Sequence, residues 1–312
     1  MTAATAPSIL IVGAGAVGAL FGSALARQGA EVSVVCRSDY AAVLKDGYRI
    51  RSPLLGDHRF RPHAVLREVA DCVSAPDYLL LTVKVLPHVD RAALIRPAVG
   101  PHTVMLLIEN GIDIEAEIAN AFPDNELLSS LAFVAISRGG DGNIHHQSAG
   151  SLLMGRYPHG ITPASQRIAA LFEASGIGCK LTETVVGARW HKAVWNTIFN
   201  PISILGGVLD TSVMLRTPQD QAFIRQSMLE VCAIAAADGY PLHPNLVEEM
   251  IAATRAMPAY KTSMAQDYEN GRPLEIEAIV GNAVRIGRRL NVAMPALESI
   301  YALARMVQGA RE

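Results

Sequence analysis

The chain has little charge and few aromatic residues: 18% of its 312 residues are charged, 5% are aromatic, and the formal net charge is −2. It contains no run of Lys and Arg able to neutralise a row of phosphates, so nucleic acid is not an expected partner. Cysteine is scarce. Cys36, Cys72, Cys179 and Cys232 stand far apart, with no C-x-x-C pair and no His/Cys grouping at metal-ligand spacing. They read as reduced thiols, and no metal is expected. One apolar stretch, Ile9 to Ala26, has a length that suggests a signal peptide or a membrane helix. No positive segment precedes it, and Gly13, Gly15, Gly18 and Gly22 interrupt it, so the expectation is a cytoplasmic protein with no membrane partner. Internal repeats, low-complexity tracts and sustained heptads are missing as well.

Apolar residues are abundant, at 50%, and the length suits two domains that each bury a core. Ile9-Leu10-Ile11-Val12 is a short β-favouring run that meets glycines at once and continues as a small-residue helix, Ala16 to Arg27, ended by Gly29. A second β-branched run, Glu31 to Val35, follows directly. Strands alternating with helices predict a parallel sheet with right-handed crossovers. Tyr78 to Val83 and Thr103 to Ile108 extend it as buried strands, and Ser129 to Met154, broken by Gly139-Gly140-Asp141-Gly142, reads as a hairpin-like edge. After about Leu181 helical periodicities replace strands: Ala188 to Asn200, Ala222 to Asp238, Leu246 to Met257 and Glu275 to Leu290. The predicted class is α/β, an N-terminal Rossmann-like doubly wound sheet over 1–181 followed by an all-helical domain over 182–312.

Gly13-Ala14-Gly15-Ala16-Val17-Gly18 lies between the first strand and its helix. In that context glycine permits the turn, and bare amides at the helix N-terminus can hold a pyrophosphate. A packing turn would need no such order of strand, motif, helix and second strand. At the end of the second strand, where an NAD site usually carries Asp or Glu, the chain has Cys36-Arg37-Ser38. Arg37 suits the 2′-phosphate of NADPH, while Asp39 is a displaced candidate for a ribose hydroxyl. Lys84 and Asn110-Gly111 follow the strands at the carboxyl edge, where ligands bind; by position alone they also fit an exposed strand-end charge and an ordinary turn.

Ketone reduction needs a proton donor for the developing alkoxide and polar groups for the substrate. In the segment Arg189 to Pro201, the spacing i, i+4, i+8 places Lys192, Asn196 and Asn200 on one helical stripe. Trp190, Trp195, Ile198 and Phe199 surround that stripe, and asparagine is a poor mid-helix residue unless its side chain acts elsewhere. His191 is a rival acid, offset about 100° around the helix. Glu275 or Glu277 begins the last long helix among apolar neighbours, and Ser263 lies upstream; alone they read as a first-turn charge and a capping hydroxyl.

Together these segments resemble, in order over nearly the whole chain, the ketopantoate reductase (2-dehydropantoate 2-reductase) family. The glycine motif, Arg37, Lys84 and Asn110-Gly111 are similar to its NADPH-binding positions. Trp190-x-Lys192-x-x-x-Asn196-x-x-x-Asn200-Pro201 resembles its catalytic helix, with a lysine general acid. Ser263-Met264-x-Gln266-Asp267, with Glu275 beyond, resembles its distal segment. The resemblance implies Lys192 and Glu275 as catalytic residues, and Asn110, Asn196, Asn200 and Ser263 as substrate contacts. It implies Gly13 to Gly18, Arg37, Lys84, Asn110 and Glu275 around NADP, with the active site in a cleft between the two domains. The implied substrate is a small 2-oxo acid, and the apolar helical half could supply the face of a homodimer. Three departures bear on substrate identity: Glu109 where glutamine is frequent, Phe199 before Asn200, and the stretch Ser137 to Gln147. Rival readings are a reductase of another branched or aromatic 2-oxo acid and a non-catalytic NADPH-binding regulator.

Overall fold

The computed structural model describes residues Ala6–Arg311. Chain contacts divide it into two compact units. One holds the chain up to Lys84, Val89–Glu109 and Glu115–Val185; the other holds Val85–His88, Asn110–Ile114 and the chain from Val186 onward.

The first unit runs β1 (Ser8–Val12), α1 (Ala16–Ala26), β2 (Glu31–Val35), α2 (Tyr40–Asp46), β3 (Tyr48–Arg51), β4 (His58–Phe60), β5 (Val65–Leu66), β6 (Tyr78–Leu81), α3 (Arg91–Ile95), β7 (Val104–Ile108), α4 (Ala116–Ala121), β8 (Leu127–Arg138), β9 (Asn143–Arg156), α5 (Pro163–Ser175) and β10 (Gly178–Leu181). Its described strands form one sheet in the order β4-β3-β9-β8-β7-β6-β1-β2-β5, with β10 also on β9. From β8 to β5 neighbouring strands are parallel.

Period-two alternation explains why these strands are apolar throughout. Ile9, Ile11, Tyr78, Leu80, Leu106 and Ile108 point into one core with Leu20, Phe21 and Leu25 of α1 and Ile168 and Phe172 of α5. Leu10, Val12, Leu79, Leu81, Met105 and Leu107 point into another with Ala92 and Ile95 of α3 and Ile118 of α4. Both faces are covered, so every position must be apolar.

The expected edge hairpin is instead interior to the sheet. β8 and β9 pair antiparallel along their length, and the far side of β9 carries β3 at Asn143–His145 and β10 at Ser151–Met154. β3 and β4 were missed because they are four and three residues long, with only Tyr48 and Ile50 of β3 and Phe60 of β4 buried. Such short half-polar runs resemble loops in sequence.

The second unit contains α6 (Val185–Leu205), α7 (Thr211–Met214), α8 (Pro218–Ala237), α9 (Leu246–Ala256), α10 (Ser263–Glu269), α11 (Asn282–Arg289) and α12 (Pro295–Gly309). The periodicity from Glu275 to Leu290 is not one α-helix: a π-helical turn over Glu277–Gly281 runs into α11. Such a turn inserts a residue and is common at functional sites. Among the described residues, no helix is long and apolar enough to cross a membrane. One core unites Trp190, Val194, Ile198 and Phe199 of α6 with Met228, Val231 and Ile234 of α8 and Leu297 and Ile300 of α12. Ile112, 3% exposed, packs into that core from the segment after β7.

Candidate active site

The glycine turn is built as the motif requires. Gly13 adopts φ +91°, and a Cβ there would lie 2.5 Å from Val83 Cγ1 and 2.8 Å from the Val83 amide nitrogen, so no other residue fits without backbone movement. A Cβ on Gly18 would lie 2.6 Å from Thr82 Oγ1 and 2.9 Å from Ile11 Cγ2, which lets α1 press against β1 and β6. Around Gly15 there is open space: its nearest neighbour to a Cβ is the Gly13 oxygen at 3.8 Å. The turn is tied down at three points. Ala14 N donates to Val35 O (3.2 Å), Thr82 Oγ1 donates to Gly13 O (2.8 Å), and the buried Tyr48 hydroxyl donates to Ala14 O (2.8 Å). The first backbone bond into α1 is Ala19 N to Gly15 O (2.9 Å). By helix geometry the amides of Ala16, Val17 and Gly18 therefore have no intrahelical acceptor, and they can face an anion.

At the end of β2, Arg37 and Ser38 are exposed. Asp39 is 8% exposed, with Oδ2 accepting the Gly142 amide (3.4 Å) and lying 3.8 Å from Arg138 Nε. Lys84 is half-buried, beyond Thr82 and Val83 after the end of β6.

In the second unit α6 presents the polar stripe. The Lys192 ammonium donates to Asn110 Oδ1 at 2.9 Å. Burial first, and then the nearby Arg189 guanidinium, bring its pKa down to about 7 against the opposing pull of the Glu275 carboxylate. Glu275 Oε1 accepts the Val85 amide at 3.0 Å. Lys192, Asn110 and Glu275, from three separated segments, are thus brought together. The alternative acid, which opens the π turn, is engaged elsewhere: Glu277 accepts from Tyr301 Oη (2.8 Å) and pairs with Arg285 (2.6 Å). His191 is exposed as a residue, and partial desolvation of its ring lowers its pKa.

Asn196, one turn beyond Lys192, is half-buried. Asn200 is 2% exposed, and its Oδ1 has no hydrogen-bond partner among the described residues. An unpaired buried amide oxygen costs about 1–3 kcal/mol, so a donor supplied by a ligand would be strongly favoured there. Ser263 is exposed as the first residue of α10. Its place is set by Thr262, whose Oγ1 caps the helix by accepting Ala265 N (3.1 Å) and contacts Ser203 Oγ at 2.8 Å. Ser203 in turn donates to Asn200 O (2.6 Å), and Thr197 Oγ1 donates to Ile279 O in the π turn (3.0 Å). Hydroxyls behind the stripe therefore hold α6, α10 and the π turn in mutual register.

Sequence reasoning overlooked Arg189. It is 3% exposed, three residues before Lys192, and its Nη1 donates to Gly111 O at 3.3 Å, bracing the turn that carries Asn110. A cation at i−3 on an otherwise apolar face was the available signal. Glu109, the departure before Asn110, forms a buried ion pair with Arg91 (2.8 Å), which also pairs with Glu117 (2.7 Å). Among the described residues no group of three His, Cys, Asp or Glu could hold a metal.

A buried lysine of lowered pKa beside a carboxylate and amides can hand over a proton, and a glycine turn with free amides can hold a diphosphate. Proteins of known family are similar to this one across the chain. The family model described as "Ketopantoate reductase PanE/ApbA" matches residues 9–159, and its "C terminal" companion matches 184–308. A 2-dehydropantoate 2-reductase from Nostoc sp. is 31% identical over 304 residues, covering 96% of this chain and 94% of its own. The crystal structure of 2-dehydropantoate 2-reductase from Methylococcus capsulatus is 50% identical, with a TM-score of 0.92 and 98% of each chain covered. A D-mandelate dehydrogenase in ternary structure with NADH and anilino(oxo)acetate shares the fold at 20% identity, TM-score 0.88, covering 97% of this chain and 99% of its own. From the glycine turn to the last helix, then, the chain belongs to the ketopantoate reductase family of oxidoreductases.

Proposed function

We propose that the protein reduces the ketone of 2-dehydropantoate (ketopantoate) to the alcohol of pantoate, with NADPH as the hydride donor. The observation that carries this reading is the Lys192 ammonium, hydrogen-bonded to Asn110 and held at a pKa of about 7 by burial and Arg189. A general acid works best when its pKa lies near the working pH.

The residues present fit the cofactor. The open space over Gly15 and the free amides opening α1 form a cradle for the pyrophosphate. Arg37, exposed at the end of β2, suits the 2′-phosphate of NADP, and Lys84 supplies a second cation on that edge of the sheet. The bound nicotinamide supplies a hydride for C2 of the oxo acid.

The chain's own residues do the rest. Lys192 donates its proton to the carbonyl oxygen as the alkoxide forms, leaving a neutral amine. Glu275, anchored on the Val85 amide, orients that ammonium and the new hydroxyl. Asn196 and Asn200 bind the oxo acid, with Asn200 Oδ1 accepting a substrate hydroxyl, and Ser263 binds the carboxylate.

The test is to follow NADPH oxidation by purified protein with ketopantoate, and then with NADH and a panel of branched and aromatic 2-oxo acids. Rapid oxidation selective for ketopantoate and NADPH supports the proposal. Faster turnover of another oxo acid moves the assignment to that substrate, and NADPH binding without any turnover points to a regulator. Lys192→Ala is expected to cut turnover by roughly a hundredfold or more while leaving cofactor affinity nearly unchanged. Near-normal turnover would remove Lys192 from the mechanism.

A further inference from the structure

Arg138 ends β8, one hundred residues after Ser38, and belongs to the stretch where the sequence departs from the family pattern. The β8–β9 hairpin carries it back to the end of β2. Its Nη1 donates to Ser38 Oγ at 2.8 Å, and its Nε lies 3.8 Å from Asp39 Oδ2. The side chain remains 38% exposed. A guanidinium has five N–H donors in a planar fork suited to phosphate oxygens, and the Ser38 bond occupies one of them.

Asp39 matters here because it stands two residues beyond Arg37. An ionised acid in that place would repel a phosphate or accept a ribose hydroxyl. It does neither freely, being buried, bonded to the Gly142 amide and paired with Arg138. Arg37 is exposed and its side chain makes no hydrogen bond or ion pair among the described residues, so its guanidinium can turn toward a ligand. This one strand end thus carries two arginines and a serine hydroxyl beside an acid that is withdrawn from solvent.

We infer that Arg138 is a second 2′-phosphate-binding residue, acting with Arg37 and Ser38 to select a 2′-phosphorylated adenosine over one bearing a free 2′-hydroxyl. Arg138 supplies two things: its spare donors reach the phosphate, and its charge cancels that of Asp39. The inference rests on the NADPH reading and adds a residue that the glycine motif and its neighbours do not reveal.

Titration calorimetry with 2′,5′-ADP and 5′-AMP separates the two ideas. Wild-type protein should bind 2′,5′-ADP more tightly than 5′-AMP. Arg138→Ala should lose roughly tenfold or more in 2′,5′-ADP affinity, with 5′-AMP affinity changed less than about twofold. Arg138→Lys should recover part of the loss, since it restores charge but not the fork. If wild-type protein fails to prefer 2′,5′-ADP, the NADPH reading falls and this inference with it. If wild-type protein prefers it, Arg37→Ala abolishes the preference and Arg138→Ala keeps it, the NADPH reading stands and Arg138 is only a tie between hairpin and strand. Equal loss of both ligands in Arg138→Ala would likewise overturn the inference, by showing collapse of the strand end.

Discussion

At the scale of single residues, the proposed role of Lys192 as general acid predicts that the reaction is directional in pH. Reduction needs the protonated amine, which is present below about pH 7 and lost above it. For ketone reduction kcat/KM should be level below that pH and fall about tenfold per unit above it; for oxidation of the hydroxy acid it should rise to a plateau instead. Arg189 lowers this pKa by like charge, so Arg189→Gln should move the break to higher pH. Asn110→Ala removes an acceptor from the ammonium and should move it lower. Profiles of the two variants breaking at the wild-type pH would show that neither residue acts on Lys192.

At the scale of elements, turns and caps hold the helices that carry the site. Gly13→Ala forces a side chain into φ +91° and against the Val83 backbone. It should cost more than about 2 kcal/mol of stability by denaturant midpoint, together with most nucleotide affinity. A milder effect is expected at α5, where Thr162 and Ser165 cap each other and Thr162 Oγ1 accepts Ser165 N at 3.1 Å. Thr162→Ala should cost about 1 kcal/mol with kinetics unchanged. Much at this scale was legible in advance. β2 occupies Glu31–Val35 as its β-branched pattern predicts, and α6 contains the whole expected Ala188 to Asn200 segment. The π turn was not legible, since its residues keep the apolar spacing of an α-helix and only the bonds made around Glu277–Gly281 distinguish the two.

At the scale of the whole molecule, the second unit is discontinuous in sequence. Ile112 belongs to its core, Ile112 N donates to Ala278 O (3.0 Å), and Asn282 Nδ2 donates to Ile112 O (2.6 Å). Ile112→Ala in the full chain should cost about 2–5 kcal/mol. A fragment beginning at Val186 lacks that residue and Asn110 altogether; it should melt without a sharp transition and expose apolar surface to a hydrophobic dye. A sharp melt matching that of the full chain would show that the helical part completes its own core.

The sequence by itself determined the α/β class, the parallel strands and their intervening helices, the glycine turn and the stripe Lys192-Asn196-Asn200. Each of these is encoded locally, by period two, by period 3.6 or by a turn that only glycine can make. Tertiary structure decided what distant residues do to one another. It gave Lys192 its neighbours Asn110, Arg189 and Glu275, engaged Glu277 with Tyr301 and Arg285, left Asn200 Oδ1 unpaired, and returned Arg138 to the end of β2. Contacts across 82, 24 or 100 residues leave no periodic trace in sequence. They exist because helices and strands pack against particular partners, and that packing sets the burial and charge from which the proposed chemistry follows.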